Sequence, residues 1–140
     1  MRQVAEKAKK AANILAGVDT QTKNKALEAV AHKLYENREA IFEANSKDVE
    51  RSVAENLPAP LVKRLKFDEK KLNDVIEGIK SLIGLEDPVG KTLSALELDE
   101  GLELYRVSCP IGLIGIIFES RPDALVQIST LCLKSGNAVL

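Results

Sequence analysis

From residue 4 to residue 83 the apolar side chains of this chain recur at helical spacing, and beyond residue 92 the period shortens to two. Val4, Ala5, Ala8, Ala11, Ala12 and Leu15 form a first stripe, and Gly17 supplies a helix stop. The next helix is expected to start near Thr20 or Thr22, either of which suits an N-cap, with Ala26, Leu27, Val30, Ala31 and Leu34 as its stripe. After a bend near Asn37 the pattern resumes with Ile41, Phe42, Ala44 and Val49, until Pro58 and Pro60 break it. A further helix is predicted over residues 69–83. Asp68 is its N-cap, Phe67 and Leu72 have the spacing of a hydrophobic staple, and Leu72, Val75, Ile76, Ile79 and Ile83 make its apolar face. Stripes of this kind read as scaffold.

The turn signal Asp87-Pro88-Val89-Gly90 marks the change of period. Residues 92–98 and 102–109 read as two strands joined through Asp99-Glu100-Gly101. The second strand alternates cleanly; in the first, Leu93 and Leu96 are out of phase, and a bulge would reconcile them. A two-stranded hairpin is marginal in water, so it needs a further surface from this chain or a partner subunit. Residues 113–118 then form an apolar run of the kind found in strands covered on both faces. Pro122 suits a first helical turn, and Leu125, Ile128, Leu131 and Cys132 recur at helical spacing up to Gly136. Residues 138–140 open another strand, which makes a βαβ unit.

Composition narrows the function classes. The chain has 140 residues, enough for one domain with a core, and 45% of them are hydrophobic and 29% charged, as in ordinary globular proteins. Twenty basic residues against twenty-one acidic ones give a net charge of -1, which speaks against a nucleic-acid surface and a polybasic membrane anchor. Scarce aromatics and the lack of Trp speak against base stacking. The longest apolar run, broken by Gly115, is far short of the ~20 residues of a membrane helix. Residues 1–17 have charges throughout and no apolar block of a secretory signal, so a cytoplasmic location is expected. A single histidine, His32, and no CxxC pair lead us to expect no metal. We read His32 as a surface or boundary residue, and Cys109 and Cys132 as structural thiols.

Chemistry concentrates at residues 119–122. Gly112-Leu113-Ile114-Gly115 precedes or enters its strand, whereas a dinucleotide fingerprint must come after one so that a helix N-terminus meets the pyrophosphate. The strand instead leads into Glu119-Ser120-Arg121-Pro122, at the carboxyl end where open α/β sheets bind ligands. Two readings stand. Ser120 or Arg121 caps the helix and Glu119 pairs with Arg121. Alternatively, Arg121 presents a fork of donors to a phosphate or carboxylate, and Ser120 with nearby backbone N–H groups stabilises an oxyanion.

The run PIGLIGIIFESRPDALVQISTLCLKSGNAVL, with ESRP followed by LKSGN, closely resembles the gamma-glutamyl phosphate reductase family, and so do EANSKDVE and GLEDPVGK in the helical half. The resemblance spans essentially the whole chain. It implies an α/β, aldehyde dehydrogenase-like fold with N-terminal helices of the cofactor domain over residues 1–90. Residues 91–109 would be a hairpin of the oligomerisation domain, and residues 110–140 the first βαβ unit of the nucleotide-binding domain. It also implies NADPH-dependent reduction of L-glutamyl 5-phosphate to L-glutamate 5-semialdehyde and phosphate in proline biosynthesis, through a thioacyl intermediate on a cysteine. Neither cysteine here matches that nucleophile, so the resemblance implies a piece of a longer protein, inactive alone, that forms homo-oligomers through the hairpin. A kinase domain precedes the same module in bifunctional relatives. Aligning the prolines sets Ser120 opposite the oxyanion-hole Asn of aldehyde dehydrogenases, across a one-residue gap. Ile117, Phe118 and Glu119 then line the nicotinamide side, and Arg121 is the candidate for the acyl phosphate or substrate carboxylate. The competing expectation is a shortened, non-catalytic binding or assembly module, or one half of a split enzyme. An open sheet edge, prone to aggregation, counts against it.

Overall fold

The computed structural model describes residues 2–140. Five helices come first: α1 (Arg2–Leu15), α2 (Thr20–Glu36), α3 (Arg38–Ala54), α4 (Ala59–Leu65) and α5 (Glu69–Gly84). The antiparallel hairpin β1 (Thr92–Asp99) and β2 (Leu102–Val107) is next, and then β3 (Leu113–Ile114), α6 (Pro122–Lys134) and β4 (Ala138–Val139). The β3 and β4 strands pair in parallel, with Leu113 opposite Ala138 and Ile114 opposite Val139. Further bonds from the Ile116 N–H to the Leu140 carbonyl and from the Leu140 N–H to the Ile114 carbonyl carry the ladder on.

Local chemistry sets the helix ends. Asp19, not Thr20 or Thr22, caps α2: its carboxylate accepts from the Thr22 N–H at 2.8 Å and from the Thr22 hydroxyl at 2.8 Å. The two bonds hold the Asp19 carboxyl below its ordinary pKa. Asn37 separates α2 from α3, as the sequence predicts. Pro58 and Pro60 do end the preceding pattern, but they also begin a helix that the apolar spacing does not signal. Pro58 is the N-cap of α4, and Pro60 lies in its first turn, where the missing N–H costs no bond. Asp68 caps α5 through the Lys71 N–H, and Phe67 and Leu72 are both buried, as a staple requires.

The core lies where α2, α5 and α6 meet. Leu27, Phe67, Leu72, Val75, Ile79 and Leu82 are buried, with Ile41, Phe42, Val126 and Leu133 packed against them. Each large side chain buried there contributes about 1.5–3 kcal/mol. Two lysines are as buried as the leucines. Lys23 of α2 is 2% exposed, and its Nζ stands 2.5 Å from Asp87 Oδ2. Lys134 of α6 is also 2% exposed, and its Nζ donates to Asn24 Oδ1 at 2.8 Å and to the Ile83 carbonyl at 3.1 Å. It thereby places a cation at the C-terminal end of α5, where the helix dipole favours one.

Residues 133–137 set the strand register. Gly136, at φ 72°, terminates α6. The Asn137 N–H reaches back to the Cys132 carbonyl and the Gly136 N–H to the Leu133 carbonyl, the pair of bonds of a Schellman motif. The buried Asn137 side chain then accepts from the Gly112 N–H at 2.8 Å and donates to the Ser135 carbonyl, tying β4 to the entrance of β3. A Cβ at Gly136 would stand 2.8 Å from Pro110 Cγ. Gly136→Ala is therefore expected to destabilise the protein by about 1–3 kcal/mol, read as a lower denaturation midpoint. An unchanged midpoint would mean that Pro110 gives way freely.

The hairpin has two bulges, between Thr92 and Ser94 and between Glu97 and Asp99, which accommodate the out-of-phase Leu93 as expected. Both of its faces are exposed, Leu96, Leu104 and Val107 included. Two expectations need correction. The run 113–118 is regular strand only over Leu113–Ile114, and Ile117 is fully exposed instead of covered on both faces. In α6, Leu125 and Leu131 point outward, while Ala124, Thr130 and Cys132 are buried. Among the described residues no helix is long and apolar enough to cross a membrane.

Candidate functional site

The parallel pair β3–β4 ends in a corner from Gly115 to Arg121 that turns into α6. The local sequence forces this corner. Pro122 occupies the first helical position and biases Arg121 away from helical geometry, and Arg121 is accordingly at φ −138°, ψ 83°. The residue before it, Ser120, is at φ 52°, in the left-handed region that a residue with a Cβ seldom adopts. Strain of this kind collects at ligand sites, where the surroundings hold it in place.

The capping reading of ESRP does not describe this corner. Neither Ser120 nor Arg121 caps α6 with a side chain. Arg121 pairs not with Glu119 but with Asp123, through Nη2 and Oδ2 at 3.4 Å. Glu119 is exposed. Arg121 lines a cleft of about 650 Å³ together with Pro60, Lys63, Arg64, Lys71 and Asp123. On the other flank Phe118, Ile116, Leu125, Ile128 and Leu140 line an apolar groove of about 300 Å³. Ile117 projects fully into solvent. The corner thus stands between a basic cleft and an apolar groove.

Among the sequence candidates, Phe118 joins the apolar groove and Arg121 the basic cleft, with Ser120 between them. Lys63, Arg64 and Lys71 go unnoticed in the sequence, because α4 itself reads only as a break. Cys132 is buried, and burial pushes its thiol pKa up, which suits a structural role. Cys109, also read as a structural thiol, is exposed at the base of the hairpin. His32 is on the surface of α2, its Nδ1 3.3 Å from Glu36 Oε1. Among the described residues no group of three or more His, Cys, Asp and Glu side chains is placed to hold a metal ion.

Comparison with known proteins shows what this arrangement is similar to. No family model matches the chain. A gamma-glutamyl phosphate reductase from Pelotomaculum thermopropionicum is 64% identical over 140 residues, all of this chain and 32% of that protein. One from Acetivibrio thermocellus is 65% identical over 138 residues, covering 99% of this chain and 32% of its own. The crystal structure of the gamma-glutamyl phosphate reductase from Thermotoga maritima superimposes with a TM-score of 0.93 at 41% identity, over 96% of this chain and 33% of that one. The Saccharomyces cerevisiae gamma-glutamyl phosphate reductase gives 0.94 at 42% identity, over 98% and 35%. The chain thus spans about a third of the length of the relatives it matches. The α/β arrangement of helices, hairpin and βαβ unit expected from the resemblance is the one these structures share. Along its length the chain is similar, in sequence and in fold, to about a third of a gamma-glutamyl phosphate reductase.

Proposed function

We propose that the protein carrying this segment reduces L-glutamyl 5-phosphate to L-glutamate 5-semialdehyde and phosphate, with NADPH as hydride donor, as a step of proline biosynthesis. The observation that carries this reading is the 64% identity with a gamma-glutamyl phosphate reductase along the entire chain. The corner supports it. Arg121 offers a planar fork of donors to an acyl phosphate or a substrate carboxylate. Ser120 stands at the corner in the left-handed region; in this reading its hydroxyl and the adjoining backbone N–H groups stabilise the developing oxyanion. The nucleophile is a cysteine outside these 140 residues, since Cys132 is buried and Cys109 belongs to the hairpin. Its thiolate displaces phosphate to give a thioacyl group, and hydride then releases the aldehyde.

In this reading the residues of this chain would hold one end of the nicotinamide cofactor. The apolar groove suits the face of a planar ring, and Phe118 lines it; Ile117 and Glu119 lie outside the groove on the exposed corner and would meet the nicotinamide side from there. No glycine-rich turn comes after β3 to cradle a pyrophosphate, so the remainder of the cofactor site lies elsewhere. We assign residues 1–90 to the helical part of the cofactor domain, 91–109 to the oligomerisation hairpin, and 110–140 to the nucleotide-binding sheet. The exposed apolar residues of both hairpin strands support a second copy of the protein as the surface they meet. Nothing observed favours the non-catalytic module.

The test is an assay of NADP+ reduction with glutamate 5-semialdehyde and inorganic phosphate. The intact protein is expected to turn over and the 140-residue segment alone to show none. Turnover by the segment alone would overturn the assignment of the nucleophile.

A further inference from the structure

The cleft beside Arg121 holds more charge than the corner needs. Lys63 and Arg64 come from the last turn of α4, Lys71 from the first turn of α5, and Arg121 from the start of α6. Asp123 is the one carboxylate among the lining residues, and it is taken by Arg121. Among the described residues, none of Lys63, Arg64 and Lys71 has a carboxylate within 4.0 Å. Arg2, Lys33, Lys47, Arg51 and Lys80 each pair with an acidic residue three or four positions away on their own helix. Lys7, Lys9, Lys10, Lys25, Lys66, Lys70 and Arg106 are likewise without such a pair among the described residues; what sets Lys63, Arg64 and Lys71 apart is that they line one opening with Arg121.

Helix chemistry accounts for only part of the cluster. Cations in the last turn of α4 complement its dipole, but Lys71 stands in the first turn of α5, where the dipole opposes a cation. Lys71 is nonetheless half-buried and held: its Nζ donates to the Arg64 carbonyl at 2.8 Å. Asn45 fixes the backbone there, donating to the Leu65 carbonyl at 2.9 Å and accepting from the Phe67 N–H at 2.7 Å. Asp123, itself half-buried, holds Arg121 from the other side. Two anchored cations and two free ones therefore face one open space. At a Debye length of about 8–10 Å in ordinary salt, the four act on an incoming anion together.

We propose that this cleft is an anion subsite, in which Lys63, Arg64 and Lys71 act with Arg121 to draw in and seat a multiply charged anion, a phosphate or a dicarboxylate, beside the Ser120 corner. That the anion belongs to the substrate rests on the reductase reading; that the cleft binds it does not.

The experiment therefore has two readouts on the intact protein. Calorimetric titration with inorganic phosphate, glutarate and neutral glutaramide reads binding without turnover. Phosphate or glutarate is expected to bind, glutaramide is not, and whichever anion binds names the end of the substrate that the cleft takes. In Lys63→Gln/Arg64→Gln the affinity is expected to fall about tenfold, and the charge-conserving Lys63→Arg/Arg64→Lys to restore most of it. In the NADP+-reducing direction the phosphate KM, or the semialdehyde KM if glutarate is the ligand, rises about fivefold or more. The KM for NADP+ holds. Unchanged affinity and unchanged KM in the double variant would overturn the subsite and leave the reductase reading intact. Charge-dependent anion binding in a wild-type protein without reductase turnover would uphold the subsite and sink that reading.

Discussion

Asp87→Ala is expected to destabilise the intact protein by about 3–5 kcal/mol, because it leaves a buried ammonium without its counter-charge. Lys23 has no exposure to speak of, and Asp87 is the carboxylate on its Nζ, 2.5 Å away. Asp87 also accepts from the Thr20 hydroxyl at 2.7 Å and the Val89 N–H at 3.0 Å, so the loss leaves further donors unmet. Set against a total stability of about 5–15 kcal/mol, this is a large share. Lys23→Met in the same protein is expected to recover much of it, since a paired charge and its apolar replacement differ far less than a broken pair. Equilibrium denaturation of both single variants and the double variant checks this; equal loss in Asp87→Ala with and without Lys23→Met would contradict it. The pair also gives stability a pH dependence. Burial pushes the Asp87 carboxyl up, but hydrogen bonds from Lys23, Val89 and Thr20 outweigh it and hold its pKa below the ordinary value of 3.8. A lowered folded-state pKa stabilises at pH above the unfolded value. Its contribution is thus complete at neutral pH and falls away as pH drops below about 4.

The second large effect is on turnover. Arg121→Ala in the intact protein is expected to lower kcat/KM for the acyl phosphate about 10²–10³-fold, the scale of removing one donor aimed at developing or transferring charge. Arg121→Lys is expected to recover only part, because an ammonium keeps the charge but not the planar fork. Stability separates this role from a structural one. The guanidinium makes a single exposed pair with Asp123 at 3.4 Å, so folding stability should move by no more than about 0.5 kcal/mol. An unchanged kcat/KM would remove Arg121 from the substrate site.

Where the sequence is legible, one side chain and its neighbours decide the outcome. Asp68 and the Phe67–Leu72 staple begin α5 wherever the rest of the chain goes. Gly136 likewise ends α6 by its own conformational freedom. The hidden features depend on meetings between distant segments. Lys23 occupies the stripe of Leu27, Val30 and Leu34, a position that an apolar residue would normally fill, and only its partner Asp87, 64 positions later, explains it. The spacing is visible, but hydropathy counts a lysine as surface. Lys134 is the same case, its ammonium accounted for by Asn24 and Ile83. The run 113–118 misleads for the converse reason: its composition fits a covered strand, yet Ile117 meets nothing within these residues. ESRP is visible in the sequence and forms the turn into α6, whereas the cations of α4 and α5 come into view only once three helices are brought together.

Acyl-phosphate chemistry is tested most directly by reading phosphorus and nicotinamide together. The intact protein is incubated with glutamate 5-semialdehyde, NADP+ and inorganic phosphate while NADPH is read by absorbance and phosphate by 31P NMR. One phosphate is expected to enter an acyl phosphate for each NADPH formed, with no NADPH in the absence of phosphate. NADPH formation at an undiminished rate in phosphate-free buffer, with glutamate as the product, would contradict this chemistry.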